Sequence, residues 1–293
     1  MTVGPEHEAP RPPPGSGFSD SVTVAFADPQ ADLYGSARIG LADGTATGLA
    51  LVFHRGVPAA VRAESGAAPA APGSFADLAV AGLRHEVLEP LGAWRLRFAS
   101  DKARLDLELT ALGAVAELEE GHPVARLGGL AGYEQACRVS GSAEVDGRRI
   151  AVDGLGQRGH AWGTPAREGI ERARTVAAWL GDEVAVSLSA VRPARGRDHE
   201  AEEVAATILE HGPPRALPVA DPRLSTTYDA EGRQRTAGLE LYVTDDEIPR
   251  RAAGEVVCGT SLDLGDRRLD CAFLRWRMEG RTGFGRYDIL RRA

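Results

Sequence analysis

The segment Gly154-Leu155-Gly156-Gln157-Arg158-Gly159-His160-Ala161-Trp162-Gly163 decides how this chain is read. Its first six residues fit G-x-G-x-x-G, the pattern that closes a strand and opens a helix beneath a dinucleotide pyrophosphate. That use needs a helix starting at the third glycine, so that its first amides hold the phosphates. Here Gly159 leads into His160-Ala161-Trp162-Gly163-Thr164-Pro165, and Gly163 and Pro165 both oppose a helix. No alternation of strand and helix patterns surrounds the motif. The remaining reading is a glycine-built tight turn that projects Arg158, His160 and Trp162 toward one space. If the segment is extended, His160 and Trp162 share a side.

Outward from this segment the dominant period is two. Val22–Phe26, Trp94–Phe98, Arg104–Leu109, Glu183–Leu188, Gly238–Val243 and Arg268–Phe273 alternate apolar with polar residues, the mark of half-buried antiparallel strands. Asp43-Gly44, Asp146-Gly147, Gly181-Asp182, Glu231-Gly232 and Glu279-Gly280 supply hairpin turns between such runs. Gly169–Leu180 fits helical spacing and alternation alike. It is expected as a hairpin strand entering the Gly181-Asp182 turn, after a short helical turn near Pro165–Gly169. The chain is therefore expected to be all-β with roughly fifteen or more strands, too many for one small barrel and enough for two sheet-built units. The glycine-rich, non-alternating stretch 121–132 marks the boundary. The expected division is a disordered, proline-rich tail over 1–17, a β domain over 18–128 and a second over 129–293. No short internal repeat is visible.

Composition excludes several functions. With 34 Lys and Arg against 42 Asp and Glu, the net charge of −8 argues against a nucleic-acid surface, and the Arg-rich stretch 275–292 is expected to be a solvated strand face. Cys137, Cys258 and Cys271 are odd in number and lack C-x-x-C spacing, so reduced thiols in a cytoplasmic protein are expected rather than disulfides or zinc. No apolar run approaches the roughly 20 residues of a membrane span, and residues 1–17 lack the apolar core of a signal peptide. His54, His85, His122, His199 and His211 show no ligand spacing, so no metal is expected. There is no G-x-S-x-G elbow for a hydrolase serine.

The ordered series Gly132-Tyr133-Glu134-Gln135, Val139-Ser140-Gly141, Val145-Asp146-Gly147 and Gly156-Gln157-Arg158-Gly159-His160-Ala161-Trp162-Gly163 resembles the lipocalin-like family of carotenoid 1,2-hydratases (hydroxyneurosporene synthases) and AttH-type proteins. Fungal Diels–Alderases and tocopherol cyclases are similar in architecture. The turn Glu279-Gly280-Arg281-Thr282-Gly283-Phe284-Gly285 resembles the family's C-terminal turn. The likeness runs from about Tyr133 to the end and is weak before it. It implies two lipocalin-like antiparallel β-barrels or half-barrels packed together, with an apolar cavity at or near their junction. It also implies a hydrophobic isoprenoid or polyketide-type substrate, and hydration, cyclisation or isomerisation without a cofactor.

Two departures qualify this. Gly159 stands where the family usually has Asp, and Ser187-Leu188-Ser189-Ala190 holds no acid where carotenoid hydratases carry a Tyr-Asp pair. Carotenoid hydration as such is not expected. His160 and Glu134 are the candidate proton donors, since protonating an alkene needs an acid in a dry pocket. Arg158, Trp162, Tyr133, Gln135, Trp179 and Trp276 are the candidate substrate-binding residues. Each has a structural alternative: His160 could fix the turn through a backbone carbonyl, Arg158 and Glu134 could form an ion pair, and the aromatic residues could pack the sheets. Two functions are thus open, an enzyme of the cyclase, isomerase or hydratase type and a carrier of a hydrophobic small molecule.

Overall fold

The computed structural model describes residues 3–68, 73–195, 202–244 and 248–293. These carry eighteen strands, and the fold is all-β as expected, with a single short α-helix among the described residues. The strands of the first sheet are β1 (Ser19–Asp28), β2 (Leu33–Ala42), β3 (Thr45–His54), β4 (Val57–Ala67), β5 (Leu83–Glu89), β6 (Ala93–Ala99), β7 (Ala103–Leu118), β8 (Leu130–Val145) and β9 (Arg148–Gly163). Those of the second are β10 (Ile170–Leu180), β11 (Val184–Pro193), β12 (Glu203–Glu210), β13 (Arg215–Pro218), β14 (Asp221–Tyr228), β15 (Gln234–Tyr242), β16 (Arg250–Asp263), β17 (Arg267–Met278) and β18 (Arg281–Arg292).

The first sheet runs β4-β3-β2-β1-β9-β8-β7-β6-β5, and the second runs β13-β12-β11-β10-β18-β17-β16-β15-β14. Adding nine to each strand of the first order gives the second. One antiparallel topology is thus used twice, without a short repeat in the sequence. In each unit the first strand pairs with the last, and the sheet curls around its own apolar core in the manner of a lipocalin-like half-barrel. Val22, Val24, Phe26, Trp94, Leu107 and Val139 belong to the first core; Val176, Leu188, Leu239, Trp276 and Tyr287 belong to the second. The hairpin turns follow the expected chemistry. Asp43-Gly44, Asp146-Gly147 and Glu279-Gly280 each place two successive residues at positive φ, as a type I′ turn requires.

Three expectations are corrected. The units divide as 1–119 with 130–165, and 120–129 with 166–293, not as 18–128 and 129–293. The non-alternating stretch contains a short helix, α1 (Pro123–Gly128), capped by His122 and ended by Gly129 at φ 72°. This helix belongs to the second unit, after which β8 and β9 return to the first. Next, within the expected tail, residues 3–17 are described and part of them is packed against the first unit. Residues Pro5–Glu8 form a 3₁₀ turn in which His7 and Glu8 are buried, a consequence of the polar contacts described below. Finally, Gly154–Gly163 is no turn but the second half of β9, paired with β1 on one side and β8 on the other. Gly169–Leu180 does form the expected hairpin strand.

The glycines of that segment serve strand packing rather than a phosphate. A Cβ on Gly154 would lie 2.2 Å from the carbonyl oxygen of Ala27, and one on Gly156 would lie 2.2 Å from that of Ala25. Both contacts are with the backbone of β1, which cannot move aside cheaply. Gly156→Ala should therefore destabilise the protein by about 1–3 kcal/mol, the usual range for overpacking. Gly147→Ala, at φ 75° in open space, should cost only about 1–2 kcal/mol from its left-handed backbone. Urea denaturation midpoints of the two variants check the ordering.

Candidate functional site

Strand register gathers a polar cluster on the inner face of the first sheet. Trp162, His160 and Arg158 of β9 lie opposite Ala131, Tyr133 and Gln135 of β8, and opposite Asp20, Val22 and Val24 of β1. Directly opposed residues share a face, so all of these side chains belong to the side on which Val22, Val24 and Val139 build the core. Arg158 has no exposed side-chain surface, and His160 and Asp20 have none either. A buried charge survives only with a partner, and each of these has one.

Arg158 is neutralised by Glu8. Its Nη2 donates to Glu8 Oε2 at 2.6 Å, and its Nη1 donates to the Tyr133 hydroxyl. The other carboxylate oxygen, Glu8 Oε1, accepts from Trp94 Nε1 at 3.1 Å and from the backbone N–H of Leu91 at 3.0 Å. The guanidinium also sits 5.4 Å from the Trp94 ring and 5.1 Å from that of Tyr133, within cation–π range. Burial, only partly opposed by the positive charge of Arg158, pushes the Tyr133 hydroxyl up to about 12, so it remains protonated. It donates in turn to the carbonyl oxygen of His7 at 3.4 Å.

His160 makes the second half of the cluster. Its Nδ1 lies 2.7 Å from the His7 carbonyl oxygen and its Nε2 lies 2.5 Å from Asp20 Oδ1. A carbonyl only accepts, so Nδ1 carries a hydrogen. The Nε2–Asp20 contact then needs a second proton, because a neutral imidazole with hydrogen on Nδ1 presents a lone pair at Nε2. Asp20 Oδ2 accepts from the backbone N–H of Arg11 at 2.6 Å, which suits a carboxylate. The pair thus shares one proton between Nε2 and Oδ1, held away from solvent. Phe75 meets the His160 ring edge-to-face at 5.2 Å, and Trp162 meets it at 5.4 Å. The Arg11 guanidinium covers the far side of Trp162, 3.6 Å from its ring centroid.

The structure brings together His160, Arg158, Trp162, Tyr133 and Gln135, as the alternation of β8 and β9 implies. Three other candidates lie elsewhere. Glu134 is opposite Gly159 in register, one residue out of phase with Tyr133 and Gln135, so it is on the outer face and cannot reach His160. The acid beside His160 is Asp20, and the partner of Arg158 is Glu8. Trp276 is part of the second unit's core, and Trp179 is buried on the opposite face of β10 from Val176, Ala178 and Leu180. Neither shares an inner face with His160.

Sequence reasoning missed Glu8, Asp20, Trp94 and His85. His85 on β5 is buried, and neither ring nitrogen has a hydrogen-bond partner among the described residues. Its pKa is held well below the ordinary histidine value, first by burial and then by the positive charges of Arg158 and His160 nearby. His122 caps α1, and His199 lies outside the described residues. Cys137 is buried among apolar side chains, which pushes its thiol up to about 12 and leaves it inert. Among the described residues no group of three or more His, Cys, Asp or Glu side chains is placed to hold a metal ion. An open cleft of about 600 Å³ in the first unit is bordered by residues including Arg84, Arg97, Arg104 and Arg149 and by none of the expected site residues. The second unit has its own buried pair, Arg174 with Glu202, joined to Thr226 and Tyr287. Its partners Glu202, Thr226 and Tyr287 include no histidine, so this cluster offers no group whose ordinary value lies near neutrality.

Fold and site together define a two-unit, lipocalin-like β protein with a buried acid–base cluster inside its first unit. The chain belongs to the family described as Domain of unknown function (DUF7064), whose model matches residues 4–293. Among solved structures it is similar to an AttH-like protein from Nitrosomonas europaea, with 14% identity and a TM-score of 0.70 over 93% of this chain and 92% of that one. It is also similar to kievitone hydratase from Nectria haematococca, with 14% identity and a TM-score of 0.61 over 93% and 88%. CghA with Sch210972 matches at 13% identity and a TM-score of 0.62 over 95% and 89%. These likenesses show that the chain shares the fold of these proteins. Comparison with curated protein sequences finds no match. No helix among the described residues is long and apolar enough to cross a membrane.

Two predictions come from the electrostatics. Glu8→Gln leaves the Arg158 charge buried without a counter-ion and should cost about 3–5 kcal/mol. Replacing both, as Glu8→Gln with Arg158→Met, should recover much of that loss, and a double-mutant cycle on denaturation midpoints measures the recovery. The second concerns acid. Folded His85 stays neutral, whereas the unfolded chain protonates it below about pH 6.5. The unfolded state then binds more protons, so the contribution of His85 is intact above that pH. It is lost as pH falls toward the lowered folded value, by up to about 1.4 kcal/mol per pH unit. His85→Leu should flatten the stability profile between about pH 6.5 and pH 5 relative to the unaltered chain, measured by urea denaturation across that range.

Proposed function

We propose that this chain is an acid–base enzyme that needs no cofactor and acts on a hydrophobic substrate at the inner face of its first unit. The observation that carries this reading is the His160–Asp20 pair. One proton lies between His160 Nε2 and the Asp20 carboxyl, sealed from solvent, where donation to a weak base is favoured by exclusion of water. Protonation of an alkene, or of a carbonyl conjugated with one, generates a cation. The Trp162 and Tyr133 ring faces stabilise it electrostatically. Loss of a proton to His160 then gives isomerisation; capture of water followed by return of its proton to His160 gives hydration; attack by a second double bond followed by loss of a proton from the new cation to His160 gives cyclisation. Asp20 holds the imidazole ring in position and shares the proton with it before donation. Kievitone hydratase, similar in fold and a hydratase by name, supports the hydration branch. An isoprenoid or polyketide-type substrate follows from the family resemblance.

One observation favours a second reading, a carrier of a hydrophobic small molecule on the same fold. Both His160 nitrogens are engaged and the ring is sealed from solvent. A ring that only fixes its neighbours looks the same.

One experiment separates the two. Purified protein is incubated with an organic extract of the cells it comes from, and products are followed by mass spectrometry for gain of one water or for new isomers. His160→Asn should retain its near-ultraviolet circular dichroism and lose turnover by about 10²-fold or more. Full turnover in a well-folded His160→Asn variant overturns the catalytic assignment. An unmodified lipid bound stoichiometrically, with no product from any fraction, establishes the carrier.

A further inference from the structure

The groups that bind His7 and Glu8 form a receptor for a carboxylate and a carbonyl. The Glu8 carboxylate receives three hydrogen bonds, from Arg158, Trp94 and the Leu91 amide. The His7 carbonyl oxygen receives two, from His160 and Tyr133. Apart from Glu8 and the His7 carbonyl, every member of this set belongs to the strands and turns of the first sheet. The acceptors come from a segment that joins neither sheet: residues 5–17 take part in no strand pairing among the described residues. Pro10, Pro12, Pro13 and Pro14 lack the N–H groups with which it could be tied down. Within it, His7 bonds back to Gly4 and the Arg11 amide reaches Asp20. The segment enters the cluster as a tethered ligand does, through one carboxylate, one carbonyl and one stacked cation.

A second, independent observation points to a ligand. The two ring nitrogens of His85, Gln135 Oε1 and Arg158 Nε are buried and have no hydrogen-bond partner among the described residues. His85 is 1% exposed, and it lies close enough to feel the charges of Arg158 and His160. The cluster therefore offers more polar capacity than His7 and Glu8 use, and native interiors rarely leave such groups unused.

We propose that the inner face of the first unit is a binding site for an apolar carboxylic acid, and that residues 5–11 occupy it in the ligand's place until the ligand displaces them. Resting on the reading of this face as the ligand site, the proposal adds the chemical class of the ligand. Arg158 decides it. With Glu8 withdrawn, the buried guanidinium needs another anion, so a neutral hydrocarbon cannot replace the segment and an acid can. The ligand carboxylate takes the Glu8 position against Arg158 and Trp94. A ketone or hydroxyl oxygen further along it takes the His7 carbonyl position against His160, within reach of the proton that the pair holds.

The test uses octanoic acid and 1-octanol, equal in chain length and different in charge. Hydrogen exchange of residues 5–11 in the unaltered chain should rise saturably with octanoate and stay unchanged with octanol. The tethered Glu8 carboxylate competes at roughly millimolar effective concentration. Glu8→Ala should therefore bind octanoate at least about tenfold more tightly than the unaltered chain, read by tryptophan fluorescence, and Arg158→Met should bind neither probe. Should Glu8→Ala fail to fold, the exchange experiment on the unaltered chain decides alone. Equal response to acid and alcohol, or no response to octanoate up to its solubility limit, overturns the proposal. Failure is distinguishable from failure of the enzymatic reading: acid binding without turnover of any fraction would leave only the binding site standing, and turnover of a neutral substrate with no acid binding would leave only the enzymatic reading standing.

Discussion

A guanidinium with no exposed surface inside a β-barrel is the constraint from which the rest of the site follows. Moving such a charge from water into the apolar interior costs several kcal/mol even after relaxation. Arg158 offsets this with the Glu8 carboxylate, the Tyr133 hydroxyl and two aromatic faces. Glu8 in turn fixes residues 5–8 against the barrel, which puts the His7 carbonyl beside His160. That carbonyl determines which nitrogen of His160 bears hydrogen, and so leaves Nε2 to share a proton with Asp20. One buried cation thereby sets the position of the leading segment and which ring nitrogen of a histidine on the same strand faces its carbonyl.

Two units share one topology, yet only one carries this chemistry. Both place an arginine with a glutamate on an inner face, Arg158 with Glu8 and Arg174 with Glu202. In the second unit the arginine sits on β10, the counterpart of β1, and its further partners are Thr226 and Tyr287 hydroxyls. Hydroxyls and a guanidinium remain in one protonation state across the physiological range. In the first unit the cluster adds His160 and His85, groups whose ordinary values lie near neutrality. Repeated topology supplies two similar scaffolds, and the histidines distinguish them.

Much of the fold was legible in the sequence because period-two alternation and turn chemistry are local. Val22–Phe26, Trp94–Phe98 and Arg104–Leu109 lie in strands β1, β6 and β7, and Asp146-Gly147 makes the turn from β8 to β9. The same parity placed His160 and Trp162 on one side if the segment is extended, as it is in β9. What escaped was non-local. Nothing in the spacing of Glu8 and Arg158, 150 residues apart, marks them as partners, and the proline-rich composition of residues 1–17 reads as disorder. The division of units escaped for a similar reason. Residues 121–132 carry the glycine and proline of a linker, but β8 and β9 complete the first sheet only through register with β7 and β1. His85 was set aside for lacking ligand spacing, a criterion suited to metals and blind to a lone inward-facing base.

Strand parity also settles the meaning of Gly159. Where the resembled family has an acid at this place, its absence counts against acid chemistry only if the side chain would face the cluster. Gly159 lies between Arg158 and His160 and opposite Thr23 and Glu134, so it belongs to the outer face. A Cβ there would meet Glu134 Cγ at 3.2 Å, away from the imidazole of its neighbour. An aspartate at 159 would approach Glu134, placing like charges side by side. The glycine therefore removes nothing from the inner site and relieves a repulsion on the outer one. The carboxyl beside His160 comes from β1 instead, as Asp20, whose strand pairs with β9 in the register that sets it beside Trp162 and 2.5 Å from His160.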